Sequence, residues 1–337
     1  MAGALAVAGS EAMREAALGF ALAADPATGA AALAALAQAE APVSGATVER
    51  LVRLRSWPSP ARQGPIDAAI RAVRARSKPP LPAGRPEIRR LLASLCDGAG
   101  AQSLFALLRK GRRYILASVL LKSETGVADV VLQRDLRKAD ADGMVGTIVA
   151  EIKAVPVSLG FVERRLADAL AGNVARDVPP PFGLLEVVEA LGLGPLAPET
   201  HTPDALAETL LPELAPERTD AACLLAAHRA SAAWPRRYAT LASWFEGGEA
   251  VEALLRPLRT RRQRLEAVTI RLLPERRRFW AERCAWMAAT LKEGAAPDGA
   301  WIEFALVARD LAGERPLSGM PLMAMIAAAT VDNFARR

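Results

Sequence analysis

The chain has 337 residues, enough for one large core or two moderate ones, and a formal net charge of +6. Arginine supplies nearly all of the basic character, 37 residues against six lysines, while aromatics make up only 5%. No apolar run approaches the ~20 residues needed to span a bilayer, and the N-terminal stretch lacks the basic n-region of a signal peptide. Three widely spaced cysteines, Cys96, Cys223 and Cys284, fit a reduced, cytoplasmic compartment.

Taken in chain order, the hydrophobic periodicity predicts short helices. Ser10 to Ala24 and Thr28 to Ala39 are alanine-rich, and Ser44 is placed to cap a third that carries Val48, Leu51 and Val52. Pro65 to Arg76 follows after the Trp57-Pro58-Ser59-Pro60 break. The proline-rich Ser77–Pro86 segment can be neither helix nor strand interior, and marks a linker between an N-terminal region, 1–76, and a central one, 87–178. In the central region Glu87 to Cys96 and Ala101 to Lys110 read as two short helices. Tyr114 to Leu121 reads as helix on the spacing of Ile115, Val119 and Lys122. Runs this short are ambiguous between helix and strand, and 127–132 stays open. Asp140 is a candidate cap for a helix through Met144, Ile148 and Ile152, and Leu159 to Asn173 is amphipathic.

Pro179 to Pro181 separates a C-terminal region, 182–337. It holds a short helix ended by Gly192, a helix capped by Asp220, a short helix from Arg236 to Phe245, and further ones opened by Asp298 and Pro321. Between them lies the densest charge in the chain. Ten arginines and three glutamates fall between Arg256 and Arg283, beside Phe279, Trp280 and Trp286. This stretch predicts two consecutive helices, one opened by Pro257 and one following Pro274, with Trp280, Cys284, Met287 and Leu291 on a core-facing stripe.

The expected fold is therefore all-α. Many short amphipathic helices are either stacked in pairs, in HEAT or armadillo fashion, or gathered in an irregular bundle, since isolated helices of this length are marginal without packing. No cofactor or metal is predicted. With two histidines, His201 and His228, a three-histidine site is impossible, and His228 is expected to be satisfied by a neighbour or solvent and His201 to be exposed. Neither a phosphate-binding glycine loop nor a nucleophile elbow is present. Asp135, Asp140 and Asp142 alternate with Arg134, Arg137 and Lys138, which reads as a solvated charge run with a helix cap rather than a cation loop.

The expected function is a binding or scaffold protein that presents a helical surface to a protein partner. The candidate binding residues are Arg259, Arg261, Arg262, Arg264, Arg276 and Arg277. Nucleic acid is the alternative partner, with arginines on phosphate and Trp57, Trp280 or Trp286 stacked on bases. Against it stands the acidic 168–252 segment, whose thirteen acidic and five basic side chains can neutralise a basic patch. An enzyme whose site is assembled from scattered residues is a third reading, because such a site leaves no local motif.

Overall fold

A computed structural model describes residues 11–39, 43–78, 84–294 and 299–336. The Ser10 start of the first helix, half of the proline-rich linker (79–83) and the Asp298 cap lie outside these residues.

The chain divides into two compact units. The first comprises 1–92, 103–152 and 158–200. It opens with helices α1 (Glu11–Leu18), α2 (Pro26–Gln38), α3 (Gly45–Leu54) and α4 (Pro60–Arg74). Asp25 caps α2 through the amides of Ala27 and Thr28, and Ser44 caps α3 through that of Ala46. Their buried faces carry Leu33, Leu36, Leu51, Leu54, Ile66 and Val73, and Trp57 is fully enclosed. Arg50 joins α1 to α3, and reaches Glu15 at 2.6 Å and Glu189 at 2.8 Å.

The first part of the central region, 87–136, is not helical. Strands β1 (Glu87–Ala93), β2 (Gln102–Lys110), β3 (Arg113–Lys122) and β4 (Gly126–Leu136) build an antiparallel sheet, completed to five strands by the two-residue Val155–Pro156. The long strands run in the order β4-β3-β2-β1. The all-α expectation is thus overturned, although 61% of the chain is helical. So are the helices expected for Glu87 to Cys96, Ala101 to Lys110 and Tyr114 to Leu121, and the open 127–132 segment is strand. The stacked helical repeat is left without support.

The physical reason is pairing. Leucine, alanine and arginine favour helix locally, but β3 and β4 bury their backbone polar groups in a ladder that runs from Tyr114↔Leu136 to Lys122↔Gly126. Along β4, half-buried Ala128, Val130 and Leu132 alternate with exposed Asp129, Val131 and Gln133, the period of a strand. In β2 the run Leu104 to Leu108 is buried throughout, which erases any period. Helices α5 (Lys138–Glu151), α6 (Leu159–Ala175) and α7 (Gly183–Leu191) complete the unit. Helix α5 begins before Asp140, which lies in its first turn and pairs with Arg137 at 2.8 Å. Helix α6 is capped by Ser158, and α7 ends on left-handed Gly192.

Asn173 on α6 finishes the start of β4. Its side chain accepts from the Val127 amide at 2.8 Å and donates to the carbonyls of Val127 at 3.2 Å and Val178 at 3.0 Å. The residue is 1% exposed, so its removal leaves buried backbone groups unpaired. Asn173→Ala is expected to cost about 2–3 kcal/mol in urea unfolding. An unchanged midpoint would show that water replaces the side chain at no cost.

The second unit comprises 93–102, 153–157 and 201–337. Its helices are α8 (Pro203–Leu210), α9 (Ala221–Ser231), α10 (Trp234–Arg237), α11 (Glu249–Leu255), α12 (Arg261–Ala267), α13 (Arg277–Glu293), α14 (Ala300–Ala312) and α15 (Pro321–Ala335). The helix expected from Arg236 to Phe245 is replaced by the single turn of α10 and a 3-10 turn at Ala239–Ser243. Helix α13 is the hub of this unit. Trp280, Cys284, Met287 and Leu291 are buried as expected, but so are Ala281, Arg283, Ala285, Trp286 and Ala288 to Thr290. A helix buried nearly all round must meet neighbours on every side, and α14 packs most heavily against it. Trp234 and Phe304 stack at 3.6 Å between centroids. Among the described residues no helix is long and apolar enough to cross a membrane.

Candidate interaction surface

The arginine-rich segment of the second unit is built differently from two plain amphipathic helices. Pro257 lies in a turn after α11, not in a helix. Helix α12 starts at Thr260, whose hydroxyl accepts from the Gln263 amide while the Gln263 side chain accepts from the Thr260 amide, a complete capping box. The helix then widens into a π-turn at Val268–Leu272. That insertion shifts the facing of the segment, so that Ala267, Val268 and Leu273 are buried and Ile270 is left 65% exposed.

The six candidate arginines separate by role. Arg276 donates to Glu246 at 2.9 Å and lies over the Phe279 ring at 3.5 Å. Arg277 donates to the carbonyls of Leu311, at 2.8 Å, and Arg315. Both are half-buried and tie α13 to its surroundings. Arg264, also half-buried, donates to the Leu258 carbonyl at 3.0 Å and covers Phe334 at 4.9 Å. Arg261 is exposed and pairs with Asp332 at 3.1 Å. Arg259 and Arg262 are exposed. The sequence thus located the segment, while the division between structural and presented arginines depends on partners from α14, α15 and the Glu246 loop.

Beneath this face is a polar framework that the periodicity did not reveal. Glu246 is 8% exposed and accepts from Arg276 and, at 2.8 Å, from Trp280 Nε1. Its amide donates to Thr330 Oγ1 at 2.9 Å. Arg283 is 2% exposed, packs its guanidinium on Phe279 at 3.0 Å and donates to the Phe279 carbonyl at 2.7 Å. Burial pushes its pKa down to about 10, so it stays charged at neutral pH. The interleaving of arginines with Phe279 and Trp280 was the available signal for this framework, and it marks core packing rather than an exposed platform.

Other candidates have ordinary partners. His228 Nε2 meets Asp310 Oδ2 at 2.7 Å. His201, expected to be exposed, is half-buried with its ring edge-on to Trp286 at 6.2 Å. Asp140 and Asp142 pair with Arg137 and Lys138. Burial raises the Cys284 thiol well above its usual range, and Cys96, Cys223 and Cys284 are in no disulfide. Among the described residues no three histidine, cysteine or carboxylate side chains come together as a metal site.

Comparison with known proteins supplies relatives without a known activity. No solved structure matches the chain. The chain is 30% identical over 250 residues to the uncharacterised protein y4lR of Sinorhizobium fredii, an alignment that covers 73% of this chain and 47% of that protein. The chain therefore spans about half the length of the curated relative it matches. Residues 1–77 match the model of the Y4lR second domain, and residues 204–335, which include the whole arginine-rich face, are similar to the Y4lR C-terminal helical domain.

Proposed function

We propose that the protein is a binding or scaffold protein and that its second unit meets a protein partner through the exposed stripe of α12 and the following π-turn. The observation that carries this reading is the exposed Ile270 among Arg259, Arg262, Glu266 and Arg271. Arg262, Glu266 and Ile270 recur four positions apart, and all five residues are exposed. An exposed apolar side chain ringed by arginine suits the centre and rim of a protein interface. Base stacking is poorly served here, because Trp57, Trp280 and Trp286, the tryptophans that would provide it, are at most 1% exposed. We also assign the protein to the cytoplasm, where three cysteines outside any disulfide are stable as thiols.

The test is photocrosslinking in the native host from a reactive side chain at Glu266, with and without Ile270→Glu. The expected result is a discrete protein adduct that Ile270→Glu removes at unchanged melting temperature. Adducts to nucleic acid, or a protein adduct that survives Ile270→Glu, would overturn the reading.

A further inference from the structure

The first unit carries a second concentration of charge, unrelated to the 256–283 segment. Strands β2 and β3 are joined by a two-residue turn, Gly111-Arg112, in which Gly111 takes the left-handed conformation at φ +61°. On either side of Gly111 stand Arg109, Lys110, Arg112 and Arg113, all exposed. The neighbouring strand β1 adds exposed Arg89 and Arg90 to the same end of the sheet, a juxtaposition fixed by Glu87, which binds Arg109 at 2.7 Å and also pairs with Arg89. Among the described residues Glu87 is the one carboxylate in ion-pair contact with these six cations.

Six cations served by one carboxylate are self-repelling, and the structural use made of them is small, the Glu87 pairs and a 3.4 Å bond from Arg113 to the Asp135 carbonyl. The side chains are exposed, and exposed ion pairs contribute little to stability. The turn itself needs only Gly111. What the arrangement does provide is a sheet end with charge on both strands and none of the exposed large apolar residues, which among the described residues lie elsewhere, at Met13, Val131, Val149, Ile152, Val178, Leu225 and Ile270. A protein interface wants an apolar centre, and a membrane-bound finger wants an apolar or aromatic anchor. A polyanion with regularly spaced charge wants neither. Five of the six cations are arginines, whose planar fork binds phosphate oxygens in pairs.

We propose that this hairpin end is a binding site for the phosphate backbone of duplex nucleic acid, engaged without sequence readout. Its affinity comes from counterion release, so it is modest at physiological salt, ~10⁻⁵ M, and rises on the order of a hundredfold on going to 50 mM. This site is independent of the protein surface proposed for the second unit.

The experiment titrates the full chain with a fluorescein-labelled 25-bp random-sequence DNA duplex at 50, 100 and 150 mM salt, alongside the same duplex in RNA. Four proteins are compared: the parent, Lys110→Gln/Arg112→Gln/Arg113→Gln, the charge-keeping Arg112→Lys/Arg113→Lys, and Arg259→Gln/Arg262→Gln/Arg271→Gln, which removes the same charge from the second unit. The expected result is log-linear weakening with salt for the parent. The hairpin variant should lose about 2.7 units of slope and at least tenfold in affinity at 50 mM, at roughly 0.9 unit per phosphate contact. The second-unit variant should bind like the parent. Arg112→Lys/Arg113→Lys, which keeps the charge, should retain the slope, and so distinguishes lost contacts from a damaged fold. No binding at 50 mM, equal losses in both glutamine variants, or tighter binding to phosphatidylserine vesicles or polyglutamate than to the duplex would each overturn the proposal.

Discussion

Replacing Trp280 with alanine is expected to lower the stability of the second unit by about 3–5 kcal/mol, the range for emptying a large aromatic site in a core. Trp280 is fully buried, its ring 5.4 Å from that of Trp244 and 5.2 Å from that of Phe279. The neighbouring faces come from α13 itself and from the turn before Glu246, so the cavity is framed by elements that cannot collapse independently. The indole N–H also donates to Glu246, and its loss leaves the carboxylate with Arg276 as its remaining side-chain donor. Trp280→Phe separates the two effects. It keeps most of the volume, loses the donor, and should cost about 1–3 kcal/mol. Guanidinium unfolding followed by the fluorescence of the remaining tryptophans measures both. An alanine variant that unfolds at the parent midpoint would mean that the ring is not packed.

In the first unit the largest effect is expected from Gly126→Ala, a loss of at least ~3 kcal/mol. Gly126 opens β4 with φ +82°, a conformation that strains any L side chain. A Cβ there would also lie 2.2 Å from the Ala169 carbonyl oxygen and 2.4 Å from Asn173 Oδ1. The first of these is helix backbone, so relief requires moving α6 or β4, and overpacking of this kind adds its own cost to the strain. Gly172→Ala serves as the milder comparison. Its Cβ would approach Gly126 Cα at 3.3 Å, in a helix where alanine is otherwise preferred, and its effect should be about 1 kcal/mol or less. Urea unfolding by circular dichroism reads both. A Gly126→Ala protein as stable as the Gly172→Ala protein would show that β4 and α6 are not held this closely.

Much of the helical architecture was legible from residues alone. Ser44 and Asp220 announce helix starts because a short polar side chain can accept a backbone N–H that no carbonyl reaches. Gly192 announces a stop because it adopts the left-handed conformation without strain. The Trp280, Cys284, Met287, Leu291 stripe is local periodicity, and it is buried. The arginine-rich face was likewise visible as charge density, although composition could not say which guanidiniums are spent inside the fold.

What the sequence by itself determined, then, is where several of the helices begin or end, the inward stripes of α6 and α7 and part of that of α13, and where positive charge accumulates. The tertiary structure alone decided three things. It made 87–136 a sheet, because Leu-, Ala- and Val-containing runs of this length satisfy either period until a neighbouring strand supplies hydrogen bonds. It divided the arginines, because whether Arg276, Arg277 or Arg283 is presented or enclosed depends on a carboxylate and carbonyls distant in sequence. And it gathered Arg89 and Arg90 beside the β2–β3 turn, since residues some twenty positions apart share one end of a sheet only once the register of its strands is set.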